Sequence, residues 1–199
     1  MRSVVQGVVH TPHLPRTNSK EETAIATEHT SPEAKAILTR PWQALVTGPD
    51  GKGWTQSALI ALVATAAIAL TAAVSGLLTL TPRLTPAILT AYLIPAFTEE
   101  LVFRGFVTTR PALILSTVFF TLWHVVEALT FLPGATLFLT PGFLAAAAIL
   151  GLAAGLMRFI TGSLWPSILF HGTIVALWQG LFGAPDFAVL FARSQGAFP

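Results

Sequence analysis

Glu99, Glu100 and Arg104 fall within one apolar run, Ala91 to Phe106, inside a stretch long enough to cross a bilayer. A charge at the bilayer centre costs at least about 2.5–3.5 kcal/mol on insertion scales, while each Leu or Phe returns only about 0.3–0.6 kcal/mol. Three charges in one span cancel most of what its apolar residues gain. They must pair with each other or line a polar cavity, which makes them functional-site candidates. His124 and His171 lie in two later apolar runs. The composition agrees: 53% of the 199 residues are apolar and 10% are charged, against about 25% charged in soluble domains. The expected fold class is all-α, a polytopic membrane helical bundle with about five transmembrane helices.

The remaining composition excludes several classes of function. A net charge of +2 with scattered basic residues gives no footprint for nucleic acid. The absence of cysteine removes disulfides, thiolate catalysis and Cys-ligated zinc. Residues 1–53 are expected to form a polar tail without the apolar h-region of a signal peptide. Ser31-Pro32-Glu33 can start a short helix through about Thr39, ended by Pro41. Ile37, Leu38, Trp42 and Leu45 would then rest on the membrane surface. Residues 54–183 are expected to be the membrane domain and 184–199 a surface tail.

Five segments reach spanning length: Ser57–Leu80, Ala87–Thr108, Ala112–Leu132, Phe138–Met157 and Ser163–Gly183. Prolines and glycines separate them. Counting basic residues favours a cytoplasmic N-terminus, with Arg40, Lys52, Arg110 and Arg158 inside and Arg83 and Arg193 outside. In that topology Glu99 lies about 16 Å from the cytoplasmic end of its helix, His124 about 18 Å and His171 about 13 Å. Three spans thus bring ionisable groups to nearly one depth, which implies a shared polar site within the membrane.

Glu100 and Arg104 have the favourable order for a helical ion pair. Glu99 points about 100° away and stays free. Phe120, His124 and Glu127 share a helix face; Glu127 can orient His124 or reach water. A Glu–His pair can deprotonate water and a second His can donate to an oxyanion, the parts of a general-base hydrolase. The same groups can ligate zinc, although no H-E-x-x-H is present. Gly151 and Gly155 form a small-xxx-small pattern, suited to close packing within the protein or between protomers of a homo-oligomer. Pro95, one turn before Glu99, is expected to kink its helix.

Glu99-Glu100-Leu101-Val102-Phe103-Arg104 matches an EExxxR motif and Phe120-Thr121-Leu122-Trp123-His124 matches FxxxH. The stretch from Thr161 to His171 resembles the lead into an HxxxN or HxxxD motif. In this order, over residues 87–180, they resemble the CPBP family of intramembrane proteases, the CAAX protease and abortive-infection family. The resemblance implies an endopeptidase of a prokaryotic cell membrane acting on membrane-associated peptide or protein substrates. It implies that Glu99 and His124 activate water, that His171 holds the oxyanion, and that Glu100 with Arg104 supports the site. It also implies a mechanism without metal or other cofactor. One position departs from the pattern: Val175 stands where the third motif has Asn or Asp. Losing an oxyanion donor typically costs about 10²–10³ in rate. The competing readings are a weakened or inactive binding, scaffold or immunity protein, and a proton path through Glu99, Glu127 and His124.

Overall fold

The computed structural model describes residues 40–83, 86–132 and 135–184, and among these the chain is helical, an all-α membrane bundle. The helix expected over 31–39 and the tail expected after residue 184 lie outside the described residues.

The first long helix, α1, spans Gly51–Val74. It begins earlier than the apolar run because Asp50 caps it, accepting from Gly53 N at 2.6 Å. It ends at Ser75, before the run does. The residues that follow turn back along the end of the bundle, where Thr81 N donates to Leu181 O at 2.9 Å and Arg83 N to Gly180 O at 2.7 Å. The buried residues of α1 are Gly53, Ser57, Ala64 and Ala72, a stripe of small side chains. Leu59, Leu62, Val63 and Leu70 on its other faces are exposed, as suits a lipid-facing helix.

The second expected span is not one helix. A 3-10 turn at Pro86–Leu89 and a π-helical turn at Tyr92–Phe97 lead into a short helix α2, Thr98–Arg104. The break is at Ile94, which is extended (φ −132°, ψ 96°). A proline disfavours helical geometry in the residue before it, so Pro95 interrupts the span where the sequence indicated only a kink.

Helix α3 spans Arg110–Thr130, with Thr109 as its cap and Pro111 in its first turn. Helix α4 spans Pro141–Thr161, capped by Thr140 and stopped by Gly162 in the left-handed region (φ 69°). Helix α5 spans Trp165–Leu181. Of these elements α1, α3 and α4 are long and apolar enough to cross a membrane; α5 has 17 residues. Helix α4 is central, packing against α1, α3, α5 and α2.

A short helix over 40–46 docks on this bundle. Leu164 N donates to Ala44 O at 3.0 Å and Trp165 Nε1 to Leu45 O at 2.8 Å. Ala44, Leu164 and Ile168 form a small apolar cluster with Phe97 and Leu101 beside it. Pro41, which the sequence marks as a stop, is helical here; a proline is tolerated wherever its missing N–H needs no acceptor. Residues 40–46 are therefore helical and docked, and 51–53 belong to α1, rather than to a loose tail.

Candidate active site

The break at Ile94 places Glu99 and Glu100 in the first turn of α2 and Arg104 in its last. Both placements suit the helix dipole. All three are buried, at 8%, 0% and 0% exposure. Glu100 Oε1 lies 3.4 Å from Arg104 Nη1, the contact their spacing predicts. The guanidinium also stacks on Phe120, its Cζ 3.9 Å from the ring centroid, a cation–π contact.

His171, from α5, sits between the two carboxylates. Its Nδ1 is 2.9 Å from Glu100 Oε1 and its Nε2 is 3.9 Å from Glu99 Oε2. Glu100 thus serves Arg104 and His171 with one oxygen, where the spacing had assigned it to Arg104 alone. A carboxylate accepts from the imidazole, so Nδ1 carries a hydrogen and Nε2 is the nitrogen turned toward Glu99. Glu99 Oε2 has no hydrogen-bond partner although it is buried. A separation of 3.9 Å is within the reach of a shared water.

His124, from α3, is oriented by the carbonyl of Phe120, 2.9 Å from Nδ1. A carbonyl only accepts, so this Nδ1 also carries a hydrogen and Nε2 is left free. Glu127 does not take that role; it is half-buried and engages the Trp123 side chain. The rings of Phe138 and Phe143 enclose His124, with centroids at 5.6 and 5.3 Å. Phe120 stands between the histidines, 4.8 Å from His124 and 5.5 Å from His171, edge-on to both. The same Phe120 ring carries the Arg104 guanidinium, so it joins His124, His171 and Arg104. Glu99, Glu100, Arg104, Phe120, His124 and His171 are thus gathered in one region, with Glu127 at its border.

Other residues hold this arrangement. Ser116 donates to Phe103 O at 2.7 Å and Ser167 to Ala154 O at 2.9 Å, fastening α3 to α2 and α5 to α4. Gly151 faces the site: a Cβ there would come 2.9 Å from the Phe120 ring and 3.0 Å from Arg104 Nη2. Gly155 instead meets Leu113, so the two glycines of the pattern serve different contacts. Gly172 receives the ring of Tyr92, whose hydroxyl pairs with Thr173 Oγ1 at 2.9 Å. The signal for Gly151 was its absence of a side chain opposite a buried charge. The serines gave none, because a hydroxyl on an apolar helix reads equally well as lipid-facing.

Val175 and Gln179 are half-buried on α5. Val175 brings no hydrogen-bond donor, so the departure from the third motif persists in the structure. Among the described residues no three His, Asp or Glu side chains are grouped to hold a metal ion.

Residues 81–177 match the family model described as Type II CAAX prenyl endopeptidase Rce1-like. No curated protein and no solved structure matches the chain. The matched residues contain both carboxylates, Arg104 and both histidines, and over them the chain is similar to the CAAX protease family of membrane proteases.

Proposed function

We propose that this chain is an intramembrane endopeptidase that hydrolyses peptide bonds of membrane-associated substrates with water activated by Glu99. The observation that carries the reading is the position of His171, with Glu100 on one ring nitrogen and Glu99 near the other. In the proposed step Glu99 takes a proton from a water that His124 Nε2 helps to orient. The water oxygen attacks the scissile carbonyl carbon. His171, donating from Nε2 in its protonated form, neutralises the oxyanion that develops. The proton held by Glu99 then passes to the leaving amine as the C–N bond breaks. The overall change is one water consumed, one carboxylate and one amine released.

In this reading the N-terminal end of α1 faces the cytoplasm. Arg40, Lys52, Arg110 and Arg158 belong to that end of the bundle and Arg83 to the other, the charge bias expected of cytoplasmic loops. A second reading, a binding or immunity protein that has lost turnover, is favoured by Val175. The test is cleavage profiling of the membrane proteome with wild type and Glu99→Gln. Membrane peptides released by wild type and absent with Glu99→Gln support the protease. Identical profiles sink it.

A further inference from the structure

Away from the carboxylate–histidine cluster, the interface of α1 and α4 holds two buried polar groups that no protein group satisfies. Ser57 on α1 is 4% exposed and Arg158 on α4 is 6% exposed. Ser57 Oγ and Arg158 Nε are both closed off without a hydrogen-bond partner. The helices run antiparallel, and contacts at both ends set their register: Gly53 lies against Thr161, and Gly142 against Ser75. Ser57 is one turn inward from Gly53, and Arg158 is one turn inward from Thr161. The two groups therefore stand level across the interface without bonding to each other. Among the described residues no carboxylate pairs with Arg158.

A guanidinium covered to this extent and lacking a counter-ion is costly. Its place in the bundle indicates what can serve as one. Arg158 is in the last turn of α4. Trp54 and Trp165, each 42% exposed, belong to the same end of the bundle, and tryptophans collect at headgroup depth. Phe159 and Ile160, next after Arg158, are exposed, so this flank faces lipid. Of the guanidinium nitrogens only Nε is both buried and without a partner, and Nη1 lies toward Gly162, at the end of α4. The Arg158 N–H groups and the Ser57 hydroxyl can all donate, so they suit an acceptor that carries negative charge.

We propose that Ser57 and Arg158 form a site for the phosphodiester of a membrane lipid, seated between the ends of α1 and α4. The lipid oxygen accepts first from the outer N–H groups of Arg158 and supplies the missing counter-charge, and it gains the Ser57 hydroxyl as the ends of α1 and α4 part to seat it. The site stands apart from the protease chemistry and does not depend on it.

The test uses the full chain, purified in neutral detergent, stripped of lipid and titrated with phosphatidylglycerol under native mass spectrometry. Wild type should retain one lipid. Arg158→Gln should weaken retention by about tenfold or more and Ser57→Ala by a few-fold. Lys52→Gln, which removes an exposed lysine at the same end, should leave it unchanged. A glycosyl diacylglycerol without phosphate should not compete, and excess inorganic phosphate should not displace the lipid. Undiminished retention by Arg158→Gln, or an equal loss with Lys52→Gln, overturns the proposal. Displacement by inorganic phosphate, or competition by the phosphate-free lipid, overturns it as well. If Arg158→Gln does not fold, Ser57→Ala decides alone, and retention equal to wild type refutes the site.

Discussion

His171 Nδ1 lies 2.9 Å from Glu100 Oε1, although the two residues are 71 positions apart in the chain. This contact fixes the ring and its tautomer, and it turns Nε2 toward Glu99. In the proposed mechanism Glu100 acts through His171, by setting its orientation and supporting its charge. Glu100→Gln keeps the shape and loses the charge. Turnover is expected to fall by about 10²–10⁴-fold, as when an orienting acid becomes its amide in other catalytic His–acid pairs. The check is steady-state kinetics on a cleaved membrane peptide, with KM nearly constant. A fall in KM matching that in kcat contradicts the assignment.

Glu99→Gln should abolish hydrolysis and leave folding intact, because Glu99 forms no ion pair with Arg104 in the structure and the substitution preserves volume. Monodisperse protein at wild-type yield with no turnover is the expected result. Residual activity above one part in about 10² argues that another group supplies the base.

Arg104→Leu should act on stability instead. The guanidinium is fully buried against Glu100 and Phe120, and its removal strands a buried carboxylate. Breaking a buried pair in this way costs about 3–5 kcal/mol. Folded yield and unfolding temperature should both drop. An Arg104→Leu protein as stable as Glu99→Gln would show that the pair contributes little.

Gly151→Ala places a methyl group against the Phe120 ring and Arg104 Nη2. Overpacking of this kind costs about 1–3 kcal/mol. Gly155→Ala meets Leu113 at 3.3 Å, with Thr117 Oγ1 at 4.0 Å, and should cost less. Thermal unfolding of the two variants separates the roles; a larger loss for Gly155→Ala would invert them.

Val175→Asn introduces a donor one turn beyond His171. If the chain turns over with an incomplete oxyanion site, kcat should rise by up to about 10²–10³-fold. The increase should vanish when Glu99→Ala is combined with it. Absence of turnover in wild type and both variants, with partner binding intact, favours the binding protein.

Patterns within one helix were the legible part of this protein. The Glu100–Arg104 contact follows from a four-residue spacing, and the shared face of Phe120 and His124 likewise. Five apolar stretches marked where the chain is helical, but their hydropathy did not mark the ends. Asp50 starts α1 before the apolar run, and Ile94 with Pro95 breaks the second stretch. Contacts between helices were beyond reach. Nothing in the spacing says that Glu100 meets His171, because that depends on how α2 and α5 pack. Depth arithmetic brought the ionisable groups to one level without saying which would touch.

The fastenings by Ser116 and Ser167 carry a consequence for how such a chain can diverge. Each hydroxyl binds a main-chain carbonyl, of Phe103 and Ala154, and every amino acid presents that same acceptor. The receiving position can therefore change identity without loosening the bond. Lipid-facing side chains are bound only to be apolar and can drift further still. Descent can rewrite most of the letters of a bundle fastened this way while the few charged groups at its centre keep their places.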